Sequence, residues 1–183
     1  MMLVDGKWEG PIVDQHMHLD RENRFISAAE EFSRSGGTEI FLVHKPSFSK
    51  TLPTDLNGYR EVYRDTIKMA EIVRKKTELK VNVVLGPHPV VWDIQANDIG
   101  VKASSELHIS AVGLALDMIE EGDAICLGEV GRPHYSVPED RWTEANDLLL
   151  EIMRMASSSN SPVQLHVEEN GNQTCRDIAK LCD

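Results

Sequence analysis

Apolar, β-branched runs recur five times along the chain, and each is followed by a stretch with the periodicity of an amphipathic helix. This alternation is typical of parallel strands covered by helices, because two parallel neighbours need a long crossover between them. We therefore expect an α/β fold built from five consecutive βα units. The strands are expected near residues 11–17, 38–44, 80–86, 123–129 and 162–167.

Two of the predicted connections are long: residues 45–57 after the second strand and residues 89–103 after the third. Both follow the carboxyl ends of strands, where parallel α/β folds place their active sites. Trp92 lies in the later connection, where it either stacks on a ring of the substrate or anchors its own loop. This end of the predicted sheet is where functional residues are expected.

The composition limits the classes of protein that the chain can belong to. Its 183 residues are 41% hydrophobic and 27% charged, which indicates one globular domain over residues 1–183. The net charge of -11 argues against coating nucleic acid through a basic face, although a metal site can attract phosphate locally. Without a leader or a run of roughly 20 apolar residues, we expect a cytoplasmic protein that binds no membrane. The three cysteines lack the spacing of a disulfide framework and are expected to be reduced.

Two histidines stand at alternate positions at the end of the first predicted strand. Side chains alternate along a strand, so His16 and His18 project from one face, about 7 Å apart along the chain. This spacing lets both imidazoles reach one ion. Asp14 has the same parity and either orients one of these imidazoles or bonds to the backbone.

Two further ligand types end later strands. Glu129 ends the fourth, otherwise apolar strand, and His166 ends the fifth. A buried carboxylate needs a cation, since an unpaired charge is costly to bury. Each residue alone has an ordinary explanation, such as a salt bridge or a surface position. Together they form a nitrogen and oxygen donor set suited to zinc, manganese, iron or nickel.

Four short motifs resemble the TatD-related deoxyribonuclease family of the amidohydrolase group, and the archaeal-type members above all. They are Asp14-x-His16-x-His18-Leu19-Asp20, Gly86-Pro87-His88-Pro89, Gly128-Glu129-Val130-Gly131 and the strand Pro162 to His166. The motifs occur in the family's order and span nearly the whole chain. The resemblance implies a TIM-type (β/α) barrel, of which about the first five of eight βα units are present.

The resemblance also implies a mechanism. Glu129 is the catalytic carboxylate that bridges two divalent ions, which are zinc, manganese or magnesium. One ion takes His16, His18 and Glu129, and the other takes Glu129 and His166. A metal-activated water then attacks a phosphodiester, in a nucleic acid or a small molecule.

The sequence departs from the family pattern at several points. Gln15 replaces a small residue, and Glu168 stands where many members carry an arginine. Arg132 either supplies that positive charge to the substrate or forms a solvent-exposed ion pair. The family's sixth-strand histidine and eighth-strand aspartate are not found. We therefore expect a fragment whose unpaired first and last strands can self-associate.

The remaining histidines lie outside this ligand set. His88 and His134 either contact substrate phosphate or act as ordinary loop histidines that cap a helix or face solvent. His44 is expected to border the pocket without touching metal, and His108 to be an ordinary surface or interface residue of a helix. The same metal site also fits a lactonase or amidohydrolase, a PHP-type phosphoesterase, or an inactive half barrel that only binds metal.

Overall fold

The computed structural model describes residues 2–182, with side chains as far as Leu181. A short antiparallel hairpin opens the chain, formed by β1 (Leu3–Val4) and β2 (Lys7–Trp8). Five parallel strands follow in one sheet, ordered as in the sequence. They are β3 (Val13–Met17), β4 (Glu39–Val43), β5 (Lys80–Leu85), β6 (Cys126–Gly131) and β7 (Val163–His166).

Helices connect these strands and cover the outer face of the sheet. They are α1 (Phe25–Arg34), α2 (Leu56–Lys76), α3 (Pro89–Ile99), α4 (Val101–Glu120), α5 (Glu139–Ser158) and α6 (Asn172–Cys182). The long helix α2 starts where the Asp55 side chain accepts a hydrogen bond of 2.8 Å from the amide of Gly58. Its last turn carries Arg74, Lys75 and Lys76, whose charges suit the negative end of a helix.

The three inner strands, β4, β5 and β6, bury residues on both faces, because alternate residues pack in opposite directions. On β4, Ile40 and Leu42 join the main core with the helices, while Val43 packs with Val84 and Cys126 in a second, smaller cluster. The same alternation places Val83 of β5 in the main core. Such runs of buried apolar residues are typical of parallel sheets with both faces covered.

The sheet is strongly curved. The side chain of Gln164 on β7, the last strand, donates a hydrogen bond of 2.8 Å to the carbonyl of Gln15 on β3, the first strand. A five-stranded parallel sheet that curls in this way and carries helices outside is a partial TIM-type barrel, as the sequence predicted. Among residues 2–182 the outer edges of β3 and β7 pair with no further strand. Self-association through those edges stays a prediction.

The strands lie within a few residues of their predicted positions, but the connection at 89–103 is not a loop. It contains α3 and the start of α4, with Pro89 at the first helical position and the His88 ring accepting from the amide of Val90. Proline is favoured there because the amide hydrogen that it lacks would have no partner within the helix. Trp92 is 1% exposed and donates to Ser105 over 3.0 Å, so its role is to anchor α3 on α4.

The structure bears on the expected absence of membrane helices and on the state of the cysteines. Across residues 2–182, no helix has both the length and the apolar character needed to cross a membrane. Cys126 is buried and Cys175 exposed, and both are free thiols. The side chain of Cys182 lies outside the described residues.

Candidate metal centre

The two strands that carry the first ligand candidates are both bulged. Between Asp14 and Met17, β3 has one residue more than β4, and between Leu127 and Val130, β6 has one more than β7. Leu127 and Val130 both pack into the main core despite their odd spacing. The extra residue turns Glu129 away from that core, a re-aiming of side chains that bulges commonly provide beside active sites.

Three side chains meet at the concave face. The Nε2 atoms of His16 and His18 lie 3.3 Å apart. Oε1 of Glu129 is 3.4 Å from Nε2 of His16, and Oε2 is 3.3 Å from Nε2 of His18. These four atoms belong to three side chains on or just after β3 and β6, which are not neighbours in the sheet. The sequence predicted this grouping, which has the spacing of a ligand set.

His166 approaches Glu129 from the other side. Its Nδ1 lies 2.9 Å from Oε1 of Glu129 and its Nε2 lies 2.6 Å from Nδ1 of His134. The carboxylate is therefore in contact with three imidazoles, two from the end of β3 and one from the end of β7. The peptide bond between Gly128 and Glu129 is cis.

The protonation of Glu129 follows from these contacts. Burial raises the pKa of its carboxyl group, but hydrogen bonds from His166 and His18 outweigh burial and hold the pKa well below its ordinary value. Glu129 is only 6% exposed, so the site contains a largely buried anion. Such an anion is stable only with positive charge beside it, which protonated imidazoles or a bound cation can supply.

A backbone carbonyl orients the ring of His18. Its Nδ1 lies 3.1 Å from the carbonyl oxygen of Val43, which can only accept a hydrogen bond. A neutral ring that donates through Nδ1 has its free electron pair on Nε2, the atom that faces Glu129. Burial lowers the pKa of His18, yet the hydrogen bonds to Glu129 and Val43 outweigh it, and the pKa is raised.

His88 presents a proton to the site. Its Nδ1 accepts the amide hydrogen of Val90 over 3.1 Å, and burial with neighbouring imidazoles lowers its pKa to about 4. A neutral ring that accepts at Nδ1 must carry its hydrogen on Nε2, which lies 3.8 Å from Oε2 of Glu129. Although His88, Glu129 and His166 are close enough to hold an ion, the tautomer makes His88 a hydrogen-bond donor.

A comparison with protein families decides the wider assignment. The model of a family described as TatD related DNase matches residues 13–182. The chain belongs to this family. The match includes every residue of the centre, so the family's metal-dependent character and the imidazole and carboxylate groups found here agree.

Two individual relatives have low sequence identity to this chain and are longer than it. An uncharacterized protein of Methanocaldococcus jannaschii is 26% identical over 174 residues, which cover 93% of this chain and 60% of that protein. An uncharacterized amidohydrolase from Saccharomyces cerevisiae shares the fold with a TM-score of 0.55 at 15% identity. That alignment covers 98% of this chain and 46% of the yeast chain. The chain thus spans less than two thirds of either relative.

Arg132 occupies neither of its predicted positions. It is 2% exposed, and its guanidinium donates through Nε and Nη2 to Glu168 and through Nη1 to Asn146 over 2.7 Å. The group also lies 4.5 Å from the ring centre of Trp142. The ion pair is therefore buried where we expected it exposed, and a substrate contact by Arg132 is not supported. Glu168, in the place of the family's arginine, is the partner that holds it.

Three other expectations have clear outcomes. Oδ1 of Asp14 accepts the amide hydrogen of His16 over 2.9 Å, so the carboxylate supports the backbone and not an imidazole. His44 bonds Thr66 of α2 over 2.9 Å and borders a cavity, while the absence of a metal contact stays a prediction. His108 is fully buried, so of the two expected positions the exposed surface is wrong. Its apolar neighbours in the sequence give α4 buried positions on more than one side.

The sequence did not predict one hydrogen-bond network beside the candidate centre. The hydroxyl of Tyr135 donates to Oδ2 of Asp93 over 2.6 Å, and Arg141 donates to Oδ1 of the same carboxylate over 2.6 Å. The network ties the segment after β6 to α3 and α5, next to His134. No local pattern in the sequence pairs these residues, since each lies on a different element.

Proposed function

We propose that the chain carries the metal centre of a metal-dependent hydrolase that cleaves phosphodiester bonds. The observation that supports the proposal best is the convergence of His16, His18 and Glu129 at separations of 3.3 to 3.4 Å. Membership of the TatD related DNase family points to the same reaction class. The chain covers only 60% of the length of the Methanocaldococcus jannaschii relative. The activity of the whole protein is therefore also a proposal.

The donor set fits a divalent ion. Two ligands bonded at about 2.0 to 2.1 Å with a tetrahedral angle lie roughly 3.3 Å apart, which matches the separations at His16, His18 and Glu129. Imidazole and carboxylate together suit zinc, manganese or iron better than magnesium, which prefers oxygen ligands. His166 and Oε1 of Glu129, which lies 2.9 Å from its Nδ1, would hold a second ion. Divalent ions in such sites activate water and offset the charge that develops on the ester oxygens.

The protein's own groups have separable roles. Glu129 would join the two ion positions through its two oxygens and remain ionised throughout. His88, with its hydrogen on Nε2, would donate a hydrogen bond to a non-bridging oxygen of the substrate and so favour a charged phosphate over a neutral ester. Its amide partner Val90 prevents the ring from turning that hydrogen away.

The surroundings of His88 favour a small phosphodiester, or the end of a nucleic-acid strand, as the substrate. A cavity of about 180 Å³ opens beside His88, between α2 and the segment after β4, and the exposed ring of Phe48 stands 6.2 Å from the His88 ring. Lys45 lines the cavity and bonds Asp20 over 3.0 Å. The net charge of -11 disfavours a long nucleic acid laid across the surface.

Hydrolysis by the chain loaded with manganese, zinc or magnesium tests the proposal. We expect turnover of bis(p-nitrophenyl) phosphate or of DNA ends, abolished by chelation and by Glu129→Gln. Glu169→Gln is the matched control, because it removes the same charge at an exposed position and should leave turnover intact. Hydrolysis of lactones alone, hydrolysis that survives Glu129→Gln, or no hydrolysis at full metal occupancy would each contradict the proposal.

A further inference from the structure

We propose that His134 is a positioning residue, which accepts a hydrogen bond from Nε2 of His166 and thereby directs Nδ1 of His166 at the metal centre. The inference rests on the proposed function, because it concerns an ion held by His166 and Glu129. It assigns to His134 a task other than the phosphate contact that the sequence suggested.

The first step is the geometry of His166. Nδ1 lies 2.9 Å from Oε1 of Glu129, and Nε2 lies 2.6 Å from Nδ1 of His134. The two rings are inclined by 66° with their centres 4.8 Å apart. Both nitrogens of His166 are thus engaged, each with a different partner.

The second step is the count of protons. A neutral imidazole has one N–H and one electron pair. If Nδ1 of His166 gives its electron pair to an ion, Nε2 must carry the hydrogen and needs an acceptor. Histidine ligands generally donate this second hydrogen to a carboxylate, a carbonyl or water, which fixes the tautomer and the ring orientation. Here the acceptor is Nδ1 of His134.

The third step explains why an exposed histidine stays in place. Tyr135 follows His134, with the two rings 5.2 Å apart and edge to face. Its hydroxyl donates to Asp93, which also accepts from Arg141 of α5. The start of the same segment is held where the amide of Arg132 donates to the carbonyl of His166 over 3.0 Å. The segment is therefore anchored on both sides of His134.

The consequence is a division of labour between the two parts of the centre. The His16 and His18 side has its own orienting group, the carbonyl of Val43 that accepts from His18. The His166 side depends on a side chain. Loss of the His134 acceptor should therefore weaken ion binding at His166 and leave binding at His16 and His18 unchanged.

The test compares His134→Ala with His134→Asn, whose Oδ1 can stand near the position of Nδ1. In zinc-loaded, ¹⁵N-histidine-labelled protein, we expect the His166 signals to report metal at Nδ1 and hydrogen at Nε2. His134→Ala should lower the affinity of that ion roughly 10- to 100-fold, and His134→Asn should restore most of it. Tyr135→Phe, which frees the segment from Asp93, should give a smaller loss.

The outcomes separate the two proposals. Unchanged zinc affinity and unchanged ¹⁵N signals of His166 in His134→Ala overturn the positioning role and leave the proposed function standing. A loss that His134→Asn does not restore also overturns it, since the acceptor is then not the cause. A wild-type chain that binds no zinc at His166 defeats the proposed function itself.

Discussion

Nε2 of His18 and Oε2 of Glu129 lie 3.3 Å apart, although two strands separate β3 from β6 in the sheet. Strands in a flat sheet are spaced by about 4.8 Å, so three spacings would hold these elements roughly 14 Å apart. Curvature of the sheet, with the bulges in β3 and β6, closes this gap. The candidate centre therefore depends on the curvature of the sheet as much as on the identity of its side chains.

The buried pair of Arg132 and Glu168 should make a large contribution to stability. Arg132→Met leaves the Glu168 carboxylate, whose side chain is 13% exposed, without its partner, and we expect a loss of about 3 to 5 kcal/mol in the free energy of unfolding. Adding Glu168→Leu should recover part of that loss, because no unpaired charge then remains. Urea denaturation of the three proteins measures the difference.

An exposed pair serves as the control for that experiment. The side chains of Arg24 and Glu31 form an ion pair while 62% and 58% exposed. Arg24→Met should cost at most about 1 kcal/mol. Equal losses in Arg24→Met and Arg132→Met would show that burial does not set the contribution of the Arg132 pair.

Gly131 allows β6 and β7 to approach each other beside Glu129 and His166. A Cβ at this position would overlap the carbonyl oxygen of His166. Gly131→Ala should therefore push the two strands apart, lower the free energy of unfolding by about 1 to 3 kcal/mol and weaken zinc binding at His166. Isothermal titration and urea denaturation report the two effects.

Gly113 provides a matched substitution in the same protein. It lies inside α4, and the nearest atom to an added Cβ is the Met155 methyl at 3.9 Å. Gly113→Ala should raise the free energy of unfolding by about 0.5 to 1 kcal/mol, because alanine is the better helix former. Should Gly131→Ala be as stable as the wild type, the proposed close approach is refuted.

The buried His108 should make stability depend on pH. Burial lowers its pKa from 6.5 to about 3, and neither ring nitrogen has a hydrogen-bond partner among the described residues. Below pH 6.5 the unfolded chain binds a proton that the folded protein does not, so stability falls as pH falls towards 3. His108→Leu should remove about 2 kcal/mol of the loss between pH 7 and pH 5. An unchanged pH slope in this variant would exclude His108 as a source.

The regular features of the fold were readable because each has a local signal. Apolar β-branched runs gave the five parallel strands, and alternation along β3 placed His16 and His18 on one face. The carboxyl ends of parallel strands meet at one edge, which is why Glu129 could be grouped with them. The position of α3 was not predicted, because Pro89 and Gly100 at its two ends resemble the residues of a loop. In the structure, Pro89 starts the helix and Gly100 follows its end.

The contacts that support the centre had no such signal. Arg132 and Glu168 are 36 residues apart, and only the pairing of β6 with β7 brings them together. The bulge that turns Glu129 inward is likewise invisible to a strict alternation. His108 was misplaced because a single histidine on an apolar helix does not reveal which side is covered until the neighbouring helices are packed.

Metal content is the most direct test of the central claim that His16, His18, Glu129 and His166 together hold divalent ions. Zinc binding should be measured by elemental analysis and titration for the wild type, for the double variant His16→Ala with His18→Ala, and for His108→Leu, which removes an imidazole outside the centre. We predict that the wild type and His108→Leu take up the same zinc, while the double variant loses at least one equivalent. Equal zinc uptake by all three proteins would contradict the account.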